Sequence, residues 1–222
     1  MPPRRPTRPA LTRDYIVATA LEIIDADGVD GLSMRRLGTR LGADPMAVYH
    51  HVPGKAALFD AVVERIWTEV GGQEVPGTRD WHDQARGFAE RFRAVLRSHP
   101  GAVAIVGTRP VATPAALEVL DRTLGLLTAC GLPSQEAIDL ANCLAMFVTG
   151  HVLAEVGEPV GGTNEHEAPA DPARFPNIAA ALETGYHHDF DQRFELGLRS
   201  LLDGFAAHLA REGRGPGPRP CP

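Results

Sequence analysis

The chain holds a single lysine, Lys55, and three cysteines in 222 residues. It has no run of eighteen or more apolar residues, so no transmembrane span is expected. The N-terminal stretch MPPRRPTRPALTR is basic but lacks the apolar segment of a signal peptide, which predicts a cytoplasmic protein. Cys130 and Cys143 fall in apolar helical stretches and Cys221 in a tail. An odd count without metal-ligand spacing excludes a disulfide framework and predicts reduced thiols, the first two as small buried residues rather than redox sensors. No Gly-rich phosphate loop, Cys-x-x-Cys pair or nucleophile elbow occurs. The histidine pairs His50-His51 and His187-His188 are adjacent, so on a helix their side chains diverge by about 100° and cannot chelate one metal. Neither a metal nor another cofactor is expected, and no nucleophile is paired with a base.

The hydrophobic share of 44% is ordinary for a globular chain, and the length allows one large domain or a small one plus a larger one. The net charge of −6 divides unevenly. Residues 1–55 carry eight Arg/Lys against six Asp/Glu, a balance of +2, and residues 56–222 carry fourteen against twenty-two, a balance of −8. The basic residues of the first part gather in an arm (Arg4, Arg5, Arg8, Arg13) and around residues 35–55 (Arg35, Arg36, Arg40, Lys55). A basic footprint on an acidic body suffices for phosphate contacts, with modest non-specific affinity.

That footprint surrounds the most informative stretch, GLSMRRLGTRLGADPMAVYHHVPGK at residues 31–55. Ser33 is a good N-cap, and Leu37 and Leu41 follow on one face with Met34 beside them. Gly42 stands where a helix ends in the left-handed region, and Asp44-Pro45 restarts one. The second helix, roughly Pro45 to His51, turns Val48 inward. Two short helices about a glycine turn fit a helix-turn-helix, whose second helix reads a DNA major groove; taken alone they fit an ordinary αα-hairpin equally well.

Amphipathic segments extend on both sides. A helix is expected over residues 12–27, with Ile16, Ala20, Ile23 and Ile24 as its buried stripe, and another from Lys55 with Leu58, Phe59, Val62 and Ile66 facing in. Further helices are predicted near 80–98, 102–106, 114–129, 134–156, 177–185 and 189–211, with a loop over 157–176 and no convincing strand. The expected fold class is all-α. Residues 1–11 read as a disordered basic arm, able to reach a minor groove or simply to solubilise, and residues 212–222 as a disordered tail. Between them the division is a three-helix helix-turn-helix DNA-binding domain, residues 12–70, and a larger helical ligand-binding and dimerisation domain, residues 71–211.

The order Gly-x-x-Gly, Ser-x-Arg-x-Leu, Gly-Ala-x-Pro, Val-Tyr-x-His and Lys at the next helix start resembles the N-terminal domain of the tetracycline-repressor (TetR) family. Ser98-His99-Pro-Gly-Ala, Gly107-Thr108-Arg109-Pro110, Leu120 to Gly131 and Phe147 to Leu153 are similar in order to the regulatory domain of the tetracycline repressors themselves. The resemblance implies a ligand-responsive transcriptional regulator, a repressor released from a palindromic operator when a small molecule binds, and a homodimer joined through the helices near 134–156 and 189–211. Two-fold proteins of this kind read half-sites about 34–36 Å apart.

It further implies that Arg35 reaches a guanine edge, while Pro45, Met46, Ala47 and His50 lie on the reading face near Ser33. Tyr49, His51 and Lys55 match phosphate-binding positions, although Tyr49 and His51 also suit a small core. Met34 replaces a hydroxyl residue of the tetracycline repressors. The implied effector site takes in Phe88, Phe92, Ile105, Thr108, Arg109, Thr123, Met146 and Thr149. His99 and His151 are candidates for it or for core histidines. Three departures stand out: Ile105 occupies the position of the histidine that holds drug-bound magnesium, Ala154 that of its supporting glutamate, and Phe88 that of a drug-gripping asparagine. A chelate needs oxygen and imidazole ligands there, so the expected effector is planar or polycyclic and largely hydrophobic. A competing class is a helical small-molecule-binding or transferase-like enzyme without DNA binding.

Overall fold

The computed structural model describes residues 10–73, 80–157, 171–185 and 189–213. Arg4, Arg5 and Arg8 of the arm, most of the loop after residue 157, His187-His188 and the tail with Cys221 lie outside the described residues. Ten α-helices and one 3-10 turn make up the rest, and no strand occurs among the described residues. They are α1 (Arg13–Asp27), α2 (Met34–Leu41), α3 (Pro45–His51), α4 (Lys55–Gly72), α5 (Trp81–Ser98), α6 (Val103–Thr108), α7 (Pro114–Ala129), α8 (Ser134–Val156), α9 (Pro176–Glu183) and α10 (Phe190–Arg211). The 3-10 turn, Pro100–Ala102, precedes α6.

Local chemistry sets the first helices. Thr12 caps α1 by accepting from the Tyr15 N–H, and Ser33 caps α2 by accepting from the Arg36 N–H at 3.1 Å. Such a cap contributes about 1 kcal/mol. Gly42 closes α2 at φ 61, a left-handed conformation that a Cβ would strain, and the Ala43 N–H reaches back to the Gly38 carbonyl at 2.9 Å. Asp44 then caps α3 through the Met46 N–H at 2.8 Å, with Pro45 in the first turn. Leu37, Val48 and Leu58 are fully buried between these helices and the Ile16, Ala20, Ile24 stripe of α1.

One continuous core runs from α1 to α10. α8 packs chiefly on α5, and also on α7, α6 and α10, while α4 packs on α7 and α1. The expected helix over 102–106 is α6 shifted by one residue and lengthened to Thr108, because Pro100 opens a 3-10 turn first. The Thr108 hydroxyl donates back to the Ala104 carbonyl at 2.7 Å and closes the last turn.

By length and composition α8 could cross a bilayer, with 23 residues and a mean hydropathy of 1.5. Its inner face buries Ala137, Leu140, Ala141, Leu144, Val148 and Val152. Its outer face leaves Asp139, Cys143, Met146, Gly150 and Leu153 exposed in the protomer. Cys143 therefore departs from the expectation of a buried thiol, since it stands on that outer stripe; Cys130 is buried.

Candidate functional site

The outer face of α3 is the first candidate site. Only Val48 of this helix is buried. Met46 is 65% exposed and Tyr49 41%, while His50 and His51 are exposed and Pro45 and Ala47 half-buried. Tyr49 and His51 are thus left free of the small core that also suited them. Ser33, though exposed, spends its hydroxyl oxygen on the α2 cap.

The three arginines of α2 are not equivalent. Arg36 is pinned to the Asp27 carboxylate at 2.5 Å and to the Gly31 carbonyl at 3.2 Å, which ties α2 to the end of α1. Arg40 stands 4.0 Å from Glu22. Arg35 has no ion-pair partner among the described residues and is exposed, so its planar fork is available to a base edge. Lys55 opens α4, whose first turn has no side-chain cap. Its ammonium and the open N–H groups favour the same anion.

The second candidate site is a cavity of about 50 Å³. Trp67, Phe88, Val119, Thr123, Ala141 and Ala145 supply much of its wall, with Asn142 and Val111 at its edge. Trp67 stacks on Phe92 at 4.8 Å and Phe92 on Phe88 at 5.9 Å, so three near-parallel rings back the space. The Thr123 hydroxyl donates to the Val119 carbonyl at 2.7 Å, leaving its oxygen as an acceptor. A drug-sized ligand needs roughly 300–1,000 Å³, more than this cavity holds as it stands.

Of the ten effector-site residues expected from the sequence, Phe88 and Thr123 line this cavity and Phe92 supports Phe88 from behind. Met146 does not join them; it is 68% exposed on the outer stripe of α8, the residue after the inward-facing Ala145 and turned about 100° from it. Ile105 is buried in α6, Thr108 is spent on the end of that helix, and the Thr149 methyl packs at Gly107. Arg109 pairs with Asp60 on α4 and lies over the Phe59 ring at 5.5 Å. Trp67, Ala141 and Ala145 were missed by the sequence reading. The small pair at i, i+4 on α8 is the signal that marked space beside Phe88.

Both candidate histidines are held by protein groups. His99 bridges α1 and α4, its Nδ1 2.8 Å from Asp25 of α1 and its Nε2 3.0 Å from Glu69 of α4. The hydrogen bond to Asp25 raises its pKa, burial opposes this, and Glu69 adds to the rise. Burial pushes Glu69 up, but hydrogen bonds from Arg65 and His99 outweigh it and hold that carboxyl below its ordinary value. His151 sits against Phe147 and Phe194, with Nε2 at 3.1 Å from the Phe190 carbonyl. Burial, then the nearby Arg93, lowers its pKa. Arg93, itself buried, grips Glu155 with two nitrogens and Asp191 at 2.6 Å, joining α5, α8 and α10. No group of three His, Cys, Asp or Glu among the described residues could hold a metal.

An exposed short helix behind a glycine turn, with an unpaired arginine and an uncapped lysine-led helix beside it, is the geometry of a DNA reading head. Residues 16–62 match the bacterial regulatory proteins of the tetR family, and residues 75–209 match the tetracyclin repressor-like C-terminal domain. The chain belongs to the TetR family. Among TetR relatives, the transcriptional repressor DrrR1 of Streptomyces coeruleorubidus is 29% identical, the match covering 94% of this chain and 83% of that protein. The class A tetracycline repressor of Escherichia coli is 35% identical, covering 88% and 91%. The TetR-family protein ActR of Streptomyces coelicolor, solved with actinorhodin, superposes with a TM-score of 0.74 at 31% identity, covering 90% of this chain and 99% of that one. The protein is a ligand-responsive DNA-binding transcriptional regulator of the TetR family. Members of that family are soluble, bind DNA operators and small-molecule effectors, and act as dimers; the relatives are repressors rather than enzymes.

Proposed function

We propose that this TetR-family regulator is a cytoplasmic homodimeric repressor, with residues 12–70 as its reading head and residues 71–211 as its sensing and pairing part. Arg35 reads a guanine in each half of a palindromic operator. Pro45, Met46, Ala47 and His50 contact groove shape and thymine methyls, and Ser33, Tyr49, His51 and Lys55 lie along the phosphates. The exposed stripe of α8, with Met146 and Leu153, and the exposed Leu196 of α10 support pairing through these two helices.

The effector is a planar, largely apolar polycycle, and the ring series Trp67–Phe92–Phe88 is the observation that carries this reading. The space beside it offers an acceptor at Thr123 and the amide of Asn142 as polar groups. ActR, which holds actinorhodin, supports the same class. A magnesium chelate does not fit: Ile105 is an apolar buried side chain and the Ala154 side chain carries no oxygen. Effector binding selects an opened state with differently spaced heads, and its differential affinity for the two states is the whole of the coupling.

The test is fluorescence anisotropy with duplex DNA from the region beside the protein's own gene. Specific binding is expected, reversed by actinorhodin-like polycycles without magnesium. Release by tetracycline only in the presence of magnesium would overturn the effector assignment, and failure to bind any such DNA specifically would overturn the repressor reading.

A further inference from the structure

Phe59 lies one helical turn after Lys55 on α4 and is half-buried. The Lys55 ammonium stands 5.4 Å from the centre of its ring and the Arg109 guanidinium 5.5 Å from the same centre. Both are within the range in which a ring quadrupole attracts a cation. The next residue, Asp60, carries the carboxylate that pairs with Arg109. Arg109 belongs to the α6–α7 connection, 49 positions along the chain from Asp60. The lysine that opens α4 and the turn that closes α6 therefore meet on one aromatic side chain.

We propose that Phe59 is a positioning residue for Lys55 as a phosphate anchor, and that the Arg109–Asp60 pair beside it links that anchor to the α6–α7 turn. This rests on the assignment of Lys55 to a DNA phosphate. A free lysine side chain samples many rotamers, and a ring one turn away restricts them. Charge completes the device. With Arg109 in place, Asp60 is neutralised; when the turn withdraws, an unpaired carboxylate is left five residues from Lys55 and repels the phosphate backbone. The turn can then weaken DNA binding without touching DNA.

The experiment measures binding of the full-length protein to the duplex from beside its gene, and to an unrelated duplex of equal length, across a range of sodium chloride concentrations. Lys55→Ala is expected to flatten the salt slope by about one unit on both duplexes. Phe59→Leu keeps the apolar burial and is expected to weaken both affinities roughly two- to fivefold. Phe59→Tyr restores them, and Phe59→Leu adds little in the Lys55→Ala background. Arg109→Gln is expected to weaken binding, and Asp60→Asn added to it to recover the loss. Thermal melts of each variant separate these effects from misfolding. A normal slope for Lys55→Ala would remove the phosphate assignment and the positioning role with it. A flattened slope for Lys55→Ala with full additivity of Phe59→Leu, or no rescue by Tyr, would overturn the positioning role alone. Failure of Asp60→Asn to rescue Arg109→Gln would overturn the link to the turn.

Discussion

Gly101 lies so close to Ile24 that a Cβ placed on it would stand 2.0 Å from the Ile24 carbonyl oxygen. Ile24 is in the last turns of α1 and Gly101 in the 3-10 turn before α6, so the backbones of α1 and of the turn leading into α6 touch directly. Gly101→Ala forces them apart and is expected to cost about 1–3 kcal/mol, read as a lower urea midpoint. Gly125→Ala in α7 is the control. Nothing lies within 4 Å of its added Cβ, and a helix-interior alanine should stabilise by roughly 0.5–1 kcal/mol.

The His99 bridge gives stability a dependence on pH. Both ring nitrogens face carboxylates, so only the imidazolium satisfies Asp25 and Glu69 together. Its pKa is raised in the folded state, so the extra stability is fully present below the unfolded histidine value, about 6.5, and is lost as pH rises through the folded value. Glu69, held low, acts in the opposite direction and loses its contribution as pH falls into the acid range. His99→Gln should therefore destabilise more at pH 6 than at pH 9 in urea titrations. An equal loss at both pH values would mean that the bridge carries no charge.

Arg35 and Arg36 are neighbours with opposite expected phenotypes. Arg35→Ala should cost about 1–3 kcal/mol on the specific duplex and little on unrelated DNA, because a base contact discriminates between sequences. Arg36→Ala removes the Asp27 and Gly31 contacts and should lower the melting temperature slightly, leaving sequence preference unchanged. Anisotropy on two duplexes and a melting curve distinguish them.

The outer stripe of α8 offers a test of assembly. Met146→Glu and Leu153→Glu place charges on residues 68% and 46% exposed in the protomer, so the fold of each chain should survive. If α8 pairs across a two-fold axis, sedimentation should show monomers and operator binding should fall sharply. Intact dimers would move the interface elsewhere.

The local chemistry of the head was legible in the sequence because each signal there acts over a few residues. Ser33 bonds three residues along, Asp44 two, and Gly42 stands at the helix end that it closes. The inward Val48 followed from the same short range. What was illegible depends on distant partners: His99 meets Asp25 across 74 positions, and Arg93 meets Glu155 across 62. Helical periodicity places Ala145 on the inner stripe of α8, whereas Met146 was expected at the effector site from the family resemblance alone. Where α5 and α7 pack on α8 decides the matter, and Met146 is left outside.

The small size of the cavity has a kinetic consequence. A drug-sized polycycle does not fit the form described above, so any taken there must wait for α7 and α8 to part. Its apparent affinity is scaled by the fraction of time the space is open. At high concentration its observed binding rate should level off at the opening rate, where a preformed pocket would give a rate that keeps rising.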